Sequence, residues 1–403
     1  MDVQEGPVQA ATSIDPTATT DLVARARALA PMIGSLSAQI DHDRRLPPEL
    51  LAELHRAGLF RLLLPRSQNG LETDPLTFLH VMETIGRADA STAWNLCQAG
   101  GCAMSAAYLE PSVAWQIFGR DPEAVLAWGP GRDVRAVVVE GGCRLTGTWT
   151  FNSGGRHATW LGAHCPIYGP DGTQACDAEG HPVERTFLVP ASDVEWSDVW
   201  TVIGLRGTAS DSFSLDGYFV RHDHSITRDW TQELRETGPL YRLSARALFA
   251  IGFAAIALGI ARAGLDAFVD VARTKVPRET KRSLRENPAV QSQTAVAEAR
   301  LRSSLQFLVH TVGETWGAVQ CAPFTLEQRM AIRLATTFCI HQAREALDFA
   351  YDAAGATAIF EDHPLERRFR DLHTLTQQLQ GRASHFETVG AYLLGAEPDL
   401  AFV

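Results

Sequence analysis

The sequence lacks the short motifs that mark several common enzyme classes. It has no GxGxxG that opens a helix and no GxxxxGK[ST] loop, so no standard dinucleotide or nucleoside-triphosphate site is indicated. HExxH and GxSxG are absent as well, which excludes the usual zinc-protease helix and the serine-hydrolase elbow. The chain is therefore not a common hydrolase or NTPase.

Cysteine is scarce and shows no paired pattern. The seven cysteines are an odd number, and no two of them form a CxxC pair, so neither a disulfide framework nor a zinc site is indicated. His222 and His224, which flank Asp223, are more typical of a solvated loop than of a metal site. We expect free thiols and no bound metal. The cysteines are Cys97, Cys102, Cys143, Cys165, Cys176, Cys321 and Cys339.

Charge and hydropathy exclude two kinds of partner. The formal net charge is -11, and acidic and basic residues interleave instead of forming a basic stripe, so we expect no nucleic acid partner. The most apolar stretch, residues 245–261, is too short to span a bilayer and contains Arg246, so it predicts a buried core helix and no membrane. The N-terminus is acidic and polar and lacks the regions of a secretory signal, which predicts a cytoplasmic protein.

The composition of successive segments divides the chain into a tail and three domains. Residues 1–18 are rich in Ala, Thr and Pro and poor in apolar residues, which predicts a mobile tail. Apolar residues at helical spacing predict a helical domain over 19–125 and a helical bundle over 233–403. Gly, Trp, Val and Thr replace this pattern over 126–232 and predict a β domain. The expected fold is mainly α with a central β domain.

Two strand predictions can be made locally. Residues 135–140 and 143–151 predict a hairpin, because the glycines between them permit the positive φ of a two-residue turn. Residues 212–220 predict a half-buried strand, since apolar residues and a glycine alternate along them. The residues expected on its buried face are Phe213, Leu215, Gly217 and Phe219.

Four segments in a fixed order carry a family resemblance. They are ADASTAWNL (88–96), GTWTFNSGG (147–155), GLRGTASDSFSLDGYFV (204–220) and AAGATAIFEDHPLERRFRDLHTLTQQLQG (353–381). Together they resemble the acyl-CoA dehydrogenase superfamily from about residue 20 to the C-terminus. The resemblance implies an N-terminal helical domain, a β-barrel or sandwich middle domain, and a C-terminal four-helix bundle.

The segment TWTFNSG resembles the W-x-F-x-S-G segment of the flavin-dependent monooxygenase branch of that superfamily. This implies a two-component enzyme that takes reduced FMN or FAD from a separate flavin reductase and hydroxylates an aromatic or heteroaromatic small molecule. It also implies that Ser153 is catalytic, with its hydroxyl beside the reactive N5 and C4a edge of the flavin. The flavin contacts implied by the resemblance are Trp128, Gly129, Trp149, Phe151, Ser153, Arg206 and Gly355.

Each of these residues also has a purely structural interpretation. Trp149 and Phe151 are equally typical of core aromatics in a β domain, and Ser153 of a turn. For Arg206 a structural role beside the turn glycines is favoured. Gly355 lies where, by the resemblance, one subunit's backbone approaches its neighbour's flavin, which implies a homotetramer or at least a dimer.

The choice between dehydrogenase and monooxygenase depends on a base. Acyl-CoA dehydrogenases remove the α proton of a thioester with a glutamate, which the resemblance places in one of two segments. No Asp or Glu occurs in residues 372–386 or 240–265, and glutamine amides do not titrate. Ordinary acyl-CoA dehydrogenation is therefore disfavoured.

A flavin hydroxylase often uses an imidazole to deprotonate its substrate, and His373 and His385 are the candidates for that role. The histidine of the monooxygenase branch aligns near Gln377 or Gln378, and His373 is more typical of a structural hydrogen-bonding residue than of a base.

Trp94 and Asn95 lie where relatives line the substrate side of the flavin, and with Gln378 they are the expected substrate contacts. Trp94 is equally typical of an aromatic residue that packs between helices.

Three functions remain open from the sequence. The first is the two-component flavin monooxygenase. The second is an acyl-CoA dehydrogenase that oxidises a thioester with FAD and a displaced base. The third is a non-catalytic flavin-binding protein of the same fold.

Overall fold

The computed structural model describes residues 16–227 and 233–401 of the chain. Its first part is helical. The first helix begins before the predicted end of the tail, and residues 1–15 lie outside the described residues. The helices of this part are α1 (Pro16–Asp43), α2 (Pro48–Arg56), α3 (Pro75–Ala88), α4 (Ala90–Ala103) and α5 (Pro111–Ala114).

The middle part is a mixed β-sheet with strand order β6-β7-β3-β2-β4-β5-β8, and β1 pairs in parallel with β4. The predicted hairpin is confirmed, since β2 and β3 pair antiparallel around the glycine turn. The strands are β1 (Leu126–Gly129), β2 (Gly131–Val139), β3 (Gly142–Trp149), β4 (Trp160–Tyr168), β5 (Glu184–Pro190), β6 (Glu195–Ser197), β7 (Ser212–Arg221) and β8 (Ser225–Thr227).

The predicted strand over 212–220 is confirmed as β7, but the prediction that Phe219 faces the core is wrong. Phe213 and Leu215 are buried, whereas Phe219 is exposed and Val220 is buried in its place. Gly217 has a φ of +63°, and the β3–β7 register shifts beside it. This irregularity moves the inward face by one residue.

The last part is a bundle in which α6, α7, α8 and α9 pack against one another. The stretch predicted as a core helix begins α6, and 89% of its most apolar window is buried. That prediction is confirmed. The helices are α6 (Ala245–Thr274), α7 (Pro288–Val319), α8 (Leu326–Ala354), α9 (Pro364–Thr376) and α10 (Ser384–Leu393).

The two helical parts share one hydrophobic core, while the sheet has a core of its own. Helices α3 and α6 meet closely at Gly86 and Gly259. A Cβ on Gly259 would lie 2.4 Å from the carbonyl oxygen of Glu83. Further along, Trp94 of α4 packs on Phe253 of α6 with ring centroids 4.2 Å apart. The N-terminal helices therefore position α4 against the bundle on one side and the sheet on the other.

Candidate functional site

The candidate site centres on Ser153, which lies just after β3 and is buried. Its Oγ accepts a hydrogen bond from Trp94 Nε1 at 2.9 Å and lies 2.7 Å from Ser210 Oγ. Ser210 Oγ lies 2.7 Å from Thr208 Oγ1, which donates to the carbonyl oxygen of Leu205 at 2.8 Å. We call these five residues the hydroxyl series. It joins α4, the turn after β3 and the loop before β7.

The loop over 204–210 has an unusual backbone that fixes the end of the hydroxyl series. Leu205 and Ala209 have φ of +53° and +44°, a left-handed conformation that costs a side-chain-bearing residue free energy. Gly204 packs so closely on α9 that a Cβ would lie 2.3 Å from the carbonyl oxygen of Arg370. The Leu205 N–H donates to Asp371 Oδ1 at 2.6 Å, so α9 anchors this loop.

Asp371 is an unusual acid, because it is buried among helices. Burial raises the pKa of Asp371 to about 7; the Leu205 N–H opposes this increase and the Asp89 carboxylate adds to it. Asp89 itself caps α4 by accepting from Thr92 N at 2.7 Å. Two buried carboxyl groups thus hold the start of α4 and the 204–210 loop in place.

The structure separates the two aromatic residues of the TWTFNSG segment. Trp149 is fully buried in the core of the sheet, where it stacks on Phe213 at 5.0 Å and its Nε1 donates to the carbonyl oxygen of His164. This placement is that of a core aromatic. Phe151 is 60% exposed and meets Trp200 edge-on, so its ring is available to a planar ligand.

Trp128 and Gly129 bring β1 against the same turn. Trp128 is buried and packs edge-on against His164 at 5.2 Å, while its carbonyl oxygen accepts from Gln98 Nε2 of α4 at 3.4 Å. A Cβ on Gly129 would lie 1.8 Å from the carbonyl oxygen of Thr150. Glycine is therefore required for this close approach, and the turn that carries Ser153 rests on β1.

Asn95 and His157 place two further polar groups beside Ser153. Asn95 Nδ2 donates to the carbonyl oxygen of Gly207 at 3.2 Å, whereas its Oδ1 has no hydrogen-bond partner within the described chain. His157 Nε2 also has none there, and burial lowers the pKa of His157 to about 4. Both atoms border Gly154, within 3.3 Å of where its Cβ would be. The imidazole is neutral at pH 7.

Arg206 and Gly355 lie outside the hydroxyl series. Arg206 Nε donates to the carbonyl oxygen of Val202 at 2.9 Å, and its guanidinium lies 3.6 Å from Asp41, which fits the structural interpretation. Gly355 follows α8 with a φ of +57°, and Lys275 bonds the adjoining Thr357 Oγ1 at 2.7 Å.

His373 and Gln378 make contacts that hold helix ends together. His373 Nε2 lies 2.7 Å from Asp348 Oδ1 of α8, and its ring packs on Phe369 at 4.2 Å. The Gln378 side chain accepts from Gln380 N at 2.6 Å and so caps the short turn that follows α9. Within the described chain, His373 Nε2 and the side-chain oxygen of Gln378 are thus both paired with protein atoms.

Family models confirm the class of protein that this fold and site define. The acyl-CoA dehydrogenase N-terminal domain matches residues 21–110, and the acyl-CoA dehydrogenase C-terminal domain matches residues 251–380. The chain belongs to the acyl-CoA dehydrogenase superfamily.

Within that superfamily the chain is similar over most of its length to flavin-dependent monooxygenases. It is 26% identical to indole-3-acetate monooxygenase of Pseudomonas putida, over 89% of this chain and 90% of the relative. It is also 26% identical to the oxygenase component of the FADH2-dependent resorcinol hydroxylase of a Rhizobium species, over 94% of this chain and 95% of the relative. The structure of XiaF from Streptomyces, in complex with FADH2 and glycerol, matches with a TM-score of 0.87 and 24% sequence identity. The match covers 95% of this chain and 97% of XiaF, which shows the shared fold.

Proposed function

We propose that this chain is the oxygenase component of a two-component flavin-dependent monooxygenase. It would take reduced FMN or FAD from a separate reductase and use O2 to hydroxylate an aromatic or heteroaromatic small molecule. The hydroxyl series, which includes Ser153 close to the exposed ring of Phe151, is the observation that carries the proposal. Because the reductase needs NAD(P)H, we place both proteins in the cytoplasm.

The residues around Ser153 fit a flavin ring system. Phe151 offers an exposed aromatic face, Ser153 offers a hydroxyl, and Asn95 Oδ1 is a buried acceptor without a partner in the described chain. Reduced flavin supplies the electrons with which O2 is activated. The protein holds the ring, excludes water through Trp94 and Phe253, and presents the Ser153 hydroxyl.

Glu387 and Glu83 are the two candidates for a displaced base of a dehydrogenase, and among the described residues neither is well placed for that role. Glu387 is exposed on α10. Glu83 lies on α3, where its carbonyl oxygen faces Gly259 of α6 and the nearby cations include Arg27, Arg87 and Arg262. A base displaced to either position would have to reach the flavin from a different helix face. We therefore favour the monooxygenase over the dehydrogenase.

Activity assays separate the three functions. We expect the purified chain to leave saturated acyl-CoA thioesters unreacted with an artificial electron acceptor, because a positioned base contributes about 10²–10⁴-fold to such a reaction. With a flavin reductase, NAD(P)H and O2 it should hydroxylate a member of a panel of phenols and indoles. Turnover of any acyl-CoA that is lost in Glu387→Gln would overturn the proposal. The absence of turnover in both assays would favour the non-catalytic alternative.

We further propose that the chain assembles as a homotetramer or at least a dimer. The segment after α8 supports this, since Ile359 and Phe360 are each about 60% exposed next to Gly355. Gly355 lacks a side chain and would let its backbone approach a neighbouring subunit's flavin.

A further inference from the structure

The hydroxyl series has a fixed direction. An indole N–H only donates, so Trp94 Nε1 donates to Ser153 Oγ at one end. A carbonyl oxygen only accepts, so at the other end Thr208 donates its single hydroxyl proton to the carbonyl oxygen of Leu205. The Ser210 proton must then go to Thr208 and the Ser153 proton to Ser210. Each hydroxyl donates once, and no other arrangement satisfies every contact.

The accepting end of the series is held firmly. The Leu205 carbonyl oxygen also accepts from Trp200 Nε1 at 3.1 Å, while the Leu205 N–H is bound to Asp371. Its left-handed φ of +53° keeps this carbonyl pointed at Thr208. The direction of the series is therefore set by the backbone of the 204–210 loop and does not depend on a mobile side chain.

The consequence falls on the remaining lone pair of Ser153. Its proton is committed to Ser210 and one lone pair to Trp94, so toward any ligand Ser153 can only accept a hydrogen bond. The N5 atom of a flavin changes its role with redox state, because oxidised N5 carries a lone pair and reduced N5 carries a hydrogen. Only the reduced flavin can therefore donate to Ser153 through N5.

We infer that the hydroxyl series makes this site selective for reduced flavin, with Thr208 and Ser210 as the residues that determine the selectivity. The inference rests on the proposed function and on the position beside the N5 edge that the family resemblance implies for Ser153. An acceptor facing the lone pair of oxidised N5 leaves both groups unsatisfied in a water-poor site, which disfavours the oxidised flavin by on the order of tenfold. The protein would thus capture the flavin in the state in which a reductase delivers it.

The test measures affinities for oxidised and reduced FMN, the latter without oxygen, and compares their ratio among variants. Removing the Ser210 hydroxyl in Ser210→Ala frees the Ser153 proton to face the ligand and donate to oxidised N5. In Thr208→Val the Ser210 hydroxyl loses its acceptor and can donate to Ser153 instead. The Ser153 proton is then also free to face the ligand. Both variants should bind oxidised flavin more tightly, so that the preference for reduced flavin falls by about tenfold. That factor corresponds to about 30 mV in the midpoint potential of the bound two-electron couple.

Two matched controls complete the test. Thr208→Ser keeps a hydroxyl and should keep the preference. Thr336→Val removes another buried hydroxyl that donates to a carbonyl, that of Ile332 at 2.8 Å, but lies in α8 outside the series, and it too should keep the preference. A ratio in Ser210→Ala within about twofold of the parent's would overturn the inference while leaving the proposed function intact. A parent chain that binds neither form of FMN or FAD would overturn the proposed function itself.

Discussion

Ser153 is the residue on which the proposed chemistry depends most directly. We expect Ser153→Ala to lower the product formed per O2 consumed by about fivefold, because a lost hydrogen bond to the flavin is worth on the order of 1 kcal/mol. More of the oxygen should then be released as hydrogen peroxide. The loss of coupling should exceed any loss of folding, which is checked by comparing product yield with the melting temperature.

The control for that substitution is Ser304→Ala in α7. Ser304 is also buried, and its hydroxyl has no hydrogen-bond partner among the residues described. It should leave the yield per O2 unchanged. Equal yields in Ser153→Ala and the parent would remove Ser153 from the mechanism.

His157 should make the stability of the protein depend on pH. Its pKa is lowered to about 4 by burial, against an ordinary value of 6.5. Between these values the unfolded chain binds a proton that the folded chain does not, so stability is lost as the pH falls from 6.5 toward 4. At pH 4 the lowered pKa of His157 reduces the free energy of unfolding by about 3 kcal/mol. Above pH 6.5 this effect no longer changes with pH.

Urea denaturation of the parent and His157→Gln at pH 4.5 and pH 7 measures this contribution. Asp371, whose pKa is raised to about 7, contributes a slope of the opposite sign, and it is present in both proteins. Between pH 7 and pH 4.5 the free energy of unfolding of the parent should therefore fall by about 2–3 kcal/mol more than that of the variant. Parallel stability curves would show that His157 is not buried as a neutral imidazole.

At the residue scale the sequence drew attention to the segment that carries Ser153 but did not show how its two aromatic side chains separate. Trp149 and Phe151 are two residues apart, so a regular strand would place both on one face. Phe151 has a φ of +56°, which ends the alternation and turns its ring outward. Asp371 could not be assigned for a different reason, since its partner Leu205 is 166 residues away in the chain.

The contact between α3 and α6 is a close approach of an N-terminal helix to the backbone of the bundle, and Gly259 makes it possible. We expect Gly259→Ala to destabilise the protein by about 1–3 kcal/mol, because the new Cβ would meet backbone atoms of Glu83 and Arg87, which cannot rotate away. Thermal or urea unfolding measures the change.

Gly313→Ala in α7 is the matched control for this substitution. The nearest atom to its new Cβ is Leu76 Cδ1 at 3.7 Å, an ordinary contact. The alanine should therefore stabilise α7 by about 0.5–1 kcal/mol through its helix propensity. If both variants change stability in the same direction, the helices do not meet as closely as described.

Secondary structure was largely predictable because it follows from local patterns. The 245–261 stretch is continuously apolar, and the glycine turn after 135–140 is explicit in the sequence. The error at Phe219 arose because Gly217 shifts the register, and a glycine in a strand pattern does not show whether it forms a bulge. The 204–210 loop, by contrast, takes its shape from contacts with α1, α4 and α9, which no local pattern contains.

The assembly state is a prediction about the whole molecule. We expect sedimentation to give a homotetramer, or at least a dimer, of the 44.0 kDa chain. Burial of the exposed Ile359 and Phe360 side chains would stabilise it. Changing both residues to Ser should weaken the assembly, whereas a parent chain that sediments as a monomer with flavin binding intact would contradict the prediction.

The hydroxyl series draws its members from α4, from the turn after β3 and from the 204–210 loop, and the loop is in turn anchored by α9. These segments are far apart in the chain and fall in all three of its parts. In a chimaera that exchanged one part with a relative, the hydrogen-bond partners of the series would come from two different proteins. Recombination at the boundaries of the sheet should therefore rarely yield a working enzyme.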